Sequence, residues 1–160
     1  VFGQFINLTI NLILKKVISD PRPAACGLDD EGMPSNHSQF IAFFCGIYVI
    51  HLIRRCSKLK WYFRFLYATG NFVLAFAVCY SRYYLGYHYP DQIYVGAAIG
   101  VLAAVVWDLI CSRILCKYTS RICSHSVMRW LCVRDYSELS YPPVDEYEAI
   151  NVSLSSSKTK

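Results

Sequence analysis

Four stretches of this chain, residues 1–14, 38–53, 65–81 and 92–107, run without a charged side chain, and the segments between them are dense in Lys, Arg, Asp and Pro. A helix that is apolar all round has no solvated face, which separates these stretches from the amphipathic helices of a soluble bundle. Each is somewhat shorter than the roughly 20 residues that a spanning helix needs, but Arg, Lys and Tyr at its ends extend the span by snorkelling. The pattern predicts an all-α integral membrane protein, a bundle of about four transmembrane helices at about 1–17, 36–54, 62–85 and 91–115 in a membrane domain of residues 1–135. A polar, mobile tail is expected over 136–160, where Asp145, Glu146, Glu148 and the run Ser155, Ser156, Ser157 fall.

Composition supports the bilayer. The 160 residues are 55% hydrophobic, 16% aromatic and 17% charged, too apolar for an ordinary soluble domain. No Met opens the chain and Val1 lies within an apolar run, which points to a fragment of a longer protein. The eight cysteines, at 26, 45, 56, 79, 111, 116, 123 and 132, show no C-x-x-C spacing, so metal binding by cysteine is not expected. Cys111, Cys116 and Cys123 flank the end of the last helix, where S-acylation is an option beside simple filling of space. No nucleic-acid partner and no obligate protein partner is suggested; the evident partner is the lipid bilayer.

Orientation follows from the basic residues, because short cytosolic loops collect Lys and Arg. Arg54, Arg55, Lys58, Lys60 and Arg64 lie between the second and third apolar runs without an acid, and Arg113, Lys117, Arg121, Arg129 and Arg134 follow the fourth. Both segments are expected in the cytosol. The opposite face then receives residues 15–37, with Asp20, Asp29, Asp30 and Glu31, and the turn at 82–91.

That opposite face carries the candidate chemistry. In "KKVISDPRP", Pro21 turns Asp20 out of helical dihedrals, so Lys15 falls in or near the last turn of a helix and Arg22 in an extended loop, both able to lean over one site. Lys16 reads as an interfacial anchor. Ser35 is a candidate N-cap for the second helix, whose free N–H groups and positive dipole end suit an anion such as phosphate. In "SRYYLGYHYPDQIY", Gly86 can end a helix with a positive φ and Pro90 can open the next, leaving His88 on a short turn within reach of Arg82. Each segment alone has an ordinary reading, such as a capped helix with an incidental His. Alternating spans, however, bring Lys15, Arg22, Arg82, His37 and His88 to one face. Cations neutralise phosphoryl oxygens, and a pair of histidines divides into nucleophile and general acid. Asp29, Asp30 and Glu31 are consecutive and read as a solvated loop rather than a magnesium site. His51 and His125 read as interfacial or solvated, and Gly96, Gly100 and Ala104 as a stripe for close packing within the bundle.

The set Lys15-x6-Arg22-Pro23, Pro34-Ser35-Asn36-His37 and Ser81-Arg82-x5-His88 resembles, in order and spacing, the three-part motif of the type 2 phosphatidic acid phosphatase superfamily. Within it, "LILKKVISDPRP", "GMPSNHSQF", "SRYYLGYH..DQ" and "VRDYSEL" are most similar to the dolichyldiphosphatase branch, over about residues 3–140. The resemblance implies a transmembrane phosphatase domain over 1–135, no cofactor and no metal. It implies His88 as the nucleophile that forms a phosphohistidine, His37 as the general acid, and Lys15, Arg22 and Arg82 on the phosphoryl oxygens, with Ser35 and the N–H groups near Asn36 completing the cradle. Two positions depart from the superfamily. Asn36 stands where Gly is usual, and Gln92 where an Asp usually orients the nucleophile, with Asp91 beside it. The branch also has Gln there, and the matched spacing favours Gln92 over Asp91 as the group that orients His88.

If the branch is right, the substrate is a polyisoprenoid diphosphate lipid, dolichyl diphosphate. It would be cleaved to dolichyl phosphate and phosphate at the lumenal face of the endoplasmic reticulum membrane, supporting protein N-glycosylation. Lys158 and Lys160 hint at endoplasmic reticulum retrieval, with irregular spacing. The competing readings are a phosphatidate or sphingoid-phosphate phosphatase and a non-catalytic membrane scaffold that binds lipid headgroups. A transporter is disfavoured because no ionisable residue sits at mid-span.

Overall fold

The computed structural model of the chain describes residues 2–27, 30–54, 56, 59–115 and 118. The expected tail at 136–160 lies outside the described residues. So do Asp29, Arg55, Lys58, Cys116, Cys123, His125 and the basic residues Lys117, Arg121, Arg129 and Arg134.

The described chain is helical: α1 (Phe2–Ile18), a single 3-10 turn (Ala24–Cys26), α2 (Asn36–Arg54), α3 (Trp61–Tyr84) and α4 (Pro90–Ile110), which runs on into a π-helical turn (Cys111–Leu115). By length and composition three of the four helices, α2, α3 and α4, can cross a bilayer. The four helices are those expected, and α1 opens at the first of the described residues. α1 is 17 residues long and carries Asn7, Asn11 and Lys15 on one face. Large apolar side chains such as Phe5, Leu12, Phe72, Phe76 and Leu102 point outward, as lipid contact requires.

α1 is amphipathic in the inverted sense. Gly3, Asn7, Asn11 and Lys15 recur every fourth residue and form its buried stripe. Their partner is α2: Gln39, with no exposed surface (0%), donates through Nε2 to Asn7 O at 2.9 Å and Asn7 Oδ1 at 2.8 Å. Its Oε1 accepts from Asn11 Nδ2 at 2.8 Å. In a medium without water these amides can be satisfied only by each other, so the seam ties α1 to α2 in one register. A smaller polar clasp joins α2 to α3, where Asn71 Nδ2 donates to Cys45 O at 3.3 Å and Cys45 Sγ lies 3.3 Å from Asn71 Oδ1.

α4 meets α2 by a different device. A Cβ on Gly96 would come within 2.6 Å of Ser35 O, and one on Gly100 would collide with Ala42 Cβ and the Phe43 backbone nitrogen. Ala104, wholly buried, sits against Gly46. The small-residue stripe foreseen on α4 is therefore what lets two backbones approach closely within the bundle.

The helix ends decide what meets at each face. α3 ends at Tyr84, and Gly86 takes φ +68°, a left-handed value that side-chain-bearing residues avoid. Pro90 then opens α4 at its first position, where a missing N–H costs nothing. Ser35 N donates to Gln92 O at 3.1 Å, and Gln92 Nε2 donates to Pro21 O at 2.9 Å. The end of α1, the start of α2 and the α3–α4 turn thus share one end of the bundle. The other end holds the ion pair between Arg54 Nη1 and Asp108 Oδ2, at 2.5 Å, linking the ends of α2 and α4.

Candidate active site

His88 stands at the centre of the first end, on the turn between Gly86 and Pro90, and is 3% exposed. Its Nδ1 lies 3.1 Å from Gln92 Oε1 and its Nε2 lies 3.3 Å from Arg22 Nη1. The proton positions follow from the partners. A guanidinium can only donate, so Nε2 is the acceptor and carries the lone pair. Gln92 Nε2 faces two groups that only accept, Asp20 Oδ2 at 2.6 Å and Pro21 O at 2.9 Å, so its Oε1 must be the atom turned to His88. His88 is therefore a neutral ring with Nδ1–H donated to Gln92. Burial holds it below the ordinary histidine range, and the charges of Arg22 and Lys15 push the same way. The hydrogen bond to Gln92, which outweighs either charge, and a lesser one involving the Gly32 backbone pull upward without reversing the effect of burial.

The chain positions Arg22 by leaving the helix sharply. Ser19, at φ 48°, donates its N–H to Lys15 O at 2.9 Å, and Gly32 N–H donates to Asp20 O at 2.6 Å, closing the loop back on itself. Arg22 Nη1 also donates to Tyr87 O at 3.3 Å, so the guanidinium spans from the α1 loop to the histidine turn. Its other edge meets Asp30: Nη2 to Oδ2 at 3.0 Å and Nε to Oδ1 at 2.5 Å. Lys15 Nζ lies 3.5 Å from the same carboxylate and donates to the carbonyl of Glu31. The hydrogen bond from Arg22 holds the Asp30 carboxyl below the usual carboxylate range, with the charges of Arg22 and Lys15 adding to it against slight burial. Reading residues 29–31 as a merely solvated loop is thus corrected for Asp30. Although half exposed, it binds both cations of the first motif segment.

The remaining candidates are placed less uniformly. His37, in the first turn of α2, is exposed, and the charges of Arg82, Arg22 and Lys15 all reach it. The Arg82 guanidinium stacks over the Tyr87 ring at 5.4 Å, and its Nε donates to Ser81 Oγ at 3.3 Å. Asn36 opens α2 and is half-buried. Ser35 sits where an N-cap is expected, but its hydroxyl is fully buried and accepts from Ser38 Oγ at 3.1 Å rather than from a backbone N–H. Asp91 is exposed on the first turn of α4, outside the set of groups bonded to His88. A cleft of about 460 Å³ opens beside the cluster, lined by Asp20, Arg22, Asp30 and Glu31. Among the described residues no three His, Cys, Asp or Glu side chains are grouped as a metal site needs.

The sequence model of the PAP2 superfamily matches residues 1–114. The chain belongs to the PAP2 superfamily. Dolichyldiphosphatase 1 of Mus musculus is 35% identical over 147 residues, 84% of this chain and 61% of the relative. Lipid phosphate phosphatase gamma of Arabidopsis thaliana is 33% identical over 159 residues, covering 94% of this chain and 66% of the relative. The dolichyldiphosphatase of Saccharomyces cerevisiae is 32% identical over 117 residues, 68% of this chain and 49% of the relative. The chain thus spans about three fifths of the length of the mouse relative. In fold it is similar to the crystal structure of a transmembrane PAP2-type phosphatidylglycerolphosphate phosphatase from Bacillus subtilis. The TM-score is 0.61 at 22% identity, covering 71% of this chain and 57% of that one.

Within this PAP2 superfamily member, Arg22, His88 and Gln92 are joined by direct contacts and Lys15 joins them through Asp30, while His37 and Arg82 stand at the margin of the same face. Three contributors were not read from the sequence. Asp30 lacked a signal because consecutive acids look solvated. Asp20 was noted only for its dihedral and its place among the acids of that face. Gly32 packs on the Gln92 amide, where a Cβ would lie 2.5 Å from Nε2, and a lone Gly before "MPSNH" reads as an ordinary turn.

Proposed function

We propose that this chain is a metal-independent lipid phosphatase that hydrolyses a polyisoprenoid diphosphate, foremost dolichyl diphosphate, to the monophosphate and orthophosphate. One observation carries the reading. Lys15 and Arg22 converge on the Asp30 carboxylate while the same Arg22 lies 3.3 Å from the lone-pair nitrogen of His88. An anion already sits between two cations beside a neutral, oriented imidazole. A phosphoryl group that displaced Asp30 would meet charge-assisted donors and a nucleophile together.

The chemistry then runs in two steps. His88 Nε2 attacks phosphorus, the bond from phosphorus to the lipid-side oxygen breaks, and His37 gives that oxygen its proton. Water next attacks the phosphohistidine and loses a proton to His37, the N–P bond breaks, and phosphate leaves. Lys15, Arg22 and Arg82 carry the charge on the phosphoryl oxygens, with Ser35 and the backbone at Asn36 completing the cradle, and Gln92 rather than Asp91 orients the nucleophile.

The names of the mouse and yeast relatives support the diphosphate substrate, and the clustered basic residues at the far end support a non-cytosolic site, in the lumen of the endoplasmic reticulum, serving dolichol recycling for N-glycosylation. The Arabidopsis relative's name favours a second reading, a broader lipid phosphate phosphatase acting on phosphatidate or sphingoid phosphates. Phosphate release by the purified protein in EDTA, from dolichyl diphosphate and from phosphatidate in matched micelles, decides between them. Preference for the diphosphate supports the first reading, preference for phosphatidate supports the second, and release from neither leaves a headgroup-binding scaffold. For orientation, a thiol reagent applied to the cytosolic side should label a Lys60→Cys variant and spare Cys26; the reverse would overturn the topology.

A further inference from the structure

We infer that Asp20 is a positioning residue: its carboxylate fixes which way the Gln92 amide faces and thereby keeps the nucleophilic lone pair on Nε2 of His88. The inference rests on the functional reading above and adds to it a group that neither the motif nor the relatives' names assign.

The Gln92 amide is buried completely (0% exposed) and every hydrogen-bonding position on it is used. Its Oε1 accepts from His88 Nδ1–H at 3.1 Å and from Tyr89 N–H at 3.4 Å. Its NH2 group donates to Asp20 Oδ2 at 2.6 Å and Pro21 O at 2.9 Å. Gly32 closes over the amide so tightly that a Cβ there would lie 2.5 Å from Nε2 and 2.6 Å from Oε1, so no side chain fits above it.

An amide can rotate by half a turn with almost no change of shape, and the consequence here is chemical. Flipped, Gln92 would aim Oε1 at the Asp20 carboxylate and the Pro21 carbonyl, and its NH2 at His88. His88 Nδ1 would then have to accept, the ring proton would move to Nε2, and the lone pair would be lost from the atom that faces Arg22. Among the described residues Asp20 is the only charged partner of the amide and so the group that most opposes the flip.

Arg22 backs up this arrangement in the resting site, since it donates to Nε2 at 3.3 Å. That support is lost when a phosphoryl group draws the guanidinium away, which is also the moment at which the lone pair is needed. From then on the tautomer is held through Gln92, whose amide Asp20 fixes together with Pro21 O and Tyr89 N–H.

Two arms test the inference. In the first, the protein is labelled with 15N-histidine in lipid nanodiscs, and the His88 signals among the four histidines are assigned by their loss in His88→Gln. The Arg22→Leu variant, which lacks the donor to Nε2, should keep Nδ1–H. Adding Asp20→Asn, whose amide can donate to a flipped Gln92, should populate Nε2–H. An unchanged Nδ1–H signal in that double variant would overturn the inference, and this arm needs no substrate.

The second arm is a charge exchange read by activity. Gln92→Glu sets a carboxylate against Asp20 and should lower kcat by about 10²-fold, because two like charges in hydrogen-bond contact cannot both ionise. Gln92→Glu with Asp20→Asn restores a donor and acceptor pair and should recover at least about tenfold over Gln92→Glu alone, with the acid limb of its pH profile moved upward by the carboxylate now beside His88. A double variant no better than Gln92→Glu would contradict the inference, since a merely structural Asp20 would make the two losses add. If Asp20→Asn does not fold, Asp20→Ser, a smaller residue that also offers a donor, replaces it in both arms. Wild-type protein inactive on every lipid phosphate would reject the proposed function while the first arm still decides the role of Asp20.

Discussion

Each end of the bundle holds an arginine 2.5 Å from an aspartate: Arg22 Nε with Asp30 Oδ1 at one, Arg54 Nη1 with Asp108 Oδ2 at the other. The contacts are alike, yet the surroundings differ. Arg54 is half exposed and its ion pair staples the ends of α2 and α4. Arg22 is 13% exposed at the side chain, shares Asp30 with Lys15, and reaches a buried histidine and the Tyr87 carbonyl. A short ion pair therefore marks no site by itself. What distinguishes the first end is that its arginine also touches a neutral imidazole, and that its carboxylate hangs on an exposed loop that can yield to another anion.

The largest break in this comparison should come from Arg22→Ala beside Arg54→Ala. The first removes a donor to both the anion and Nε2 and should lower kcat/KM by about 10³-fold. The second should leave activity within about threefold and cost only about 0–1 kcal/mol of stability in a thermal melt. Comparable losses at both ends would erase the distinction.

Next in size is the orienting group. Gln92→Ala should lower kcat by about 10²-fold with little change in KM, whereas Asp91→Asn, exposed and outside the groups bonded to the ring, should stay within about twofold. A dead Asp91→Asn beside a healthy Gln92→Ala would reverse the assignment.

The pH profile sharpens the comparison further. As the proposed nucleophile, His88 must be neutral, and its pKa is lowered, chiefly by burial, so the acid limb of kcat/KM should lie below the ordinary histidine value of 6.5. Lys15→Met removes one of the cations that disfavour protonation, so the limb should move toward higher pH, by less than about one unit. A shift toward lower pH would contradict the electrostatic account.

The smallest effect expected is at Asp30. Asp30→Asn frees Lys15 and Arg22 from their internal anion, so inhibition by inorganic phosphate should tighten by a few-fold, while Asp108→Asn should leave it unchanged. Weaker inhibition in Asp30→Asn would show that the carboxylate organises the cradle rather than occupying it.

The legible parts of this architecture were those set by local backbone rules or by spacing. Gly86 and Pro90 bracket His88 because one tolerates a left-handed φ and the other fits a helix start, and both facts can be read from residue type. The stripe Gly96, Gly100, Ala104 announced a close helix contact in the same way. The α1–α2 seam was hidden, because Asn7 and Asn11 carry no charge and lie inside a run read only for its lack of charge; in lipid, a polar stripe at every fourth residue is the inward face. α1 stands among the four helices expected, and its stripe of inward amides is what the spacing of charges did not show. At the site, motif spacing brought out Lys15, Arg22, His37, Arg82 and His88, but not Asp20 or Asp30, whose roles depend on how a loop folds back. Ser35 shows the reverse: a good capping residue by type, its buried hydroxyl accepts from Ser38 Oγ.

The central claim is that His88 forms a covalent phosphoenzyme without a metal. Acid-sparing rapid quench of the purified protein with dolichyl diphosphate carrying 32P in its terminal phosphate, in EDTA, tests it most directly. The account predicts an acid-labile, base-stable label that appears within the first turnover, maps to the peptide containing His88 and is absent from His88→Ala. Turnover without any such label, or a label that persists in His88→Ala, would contradict it.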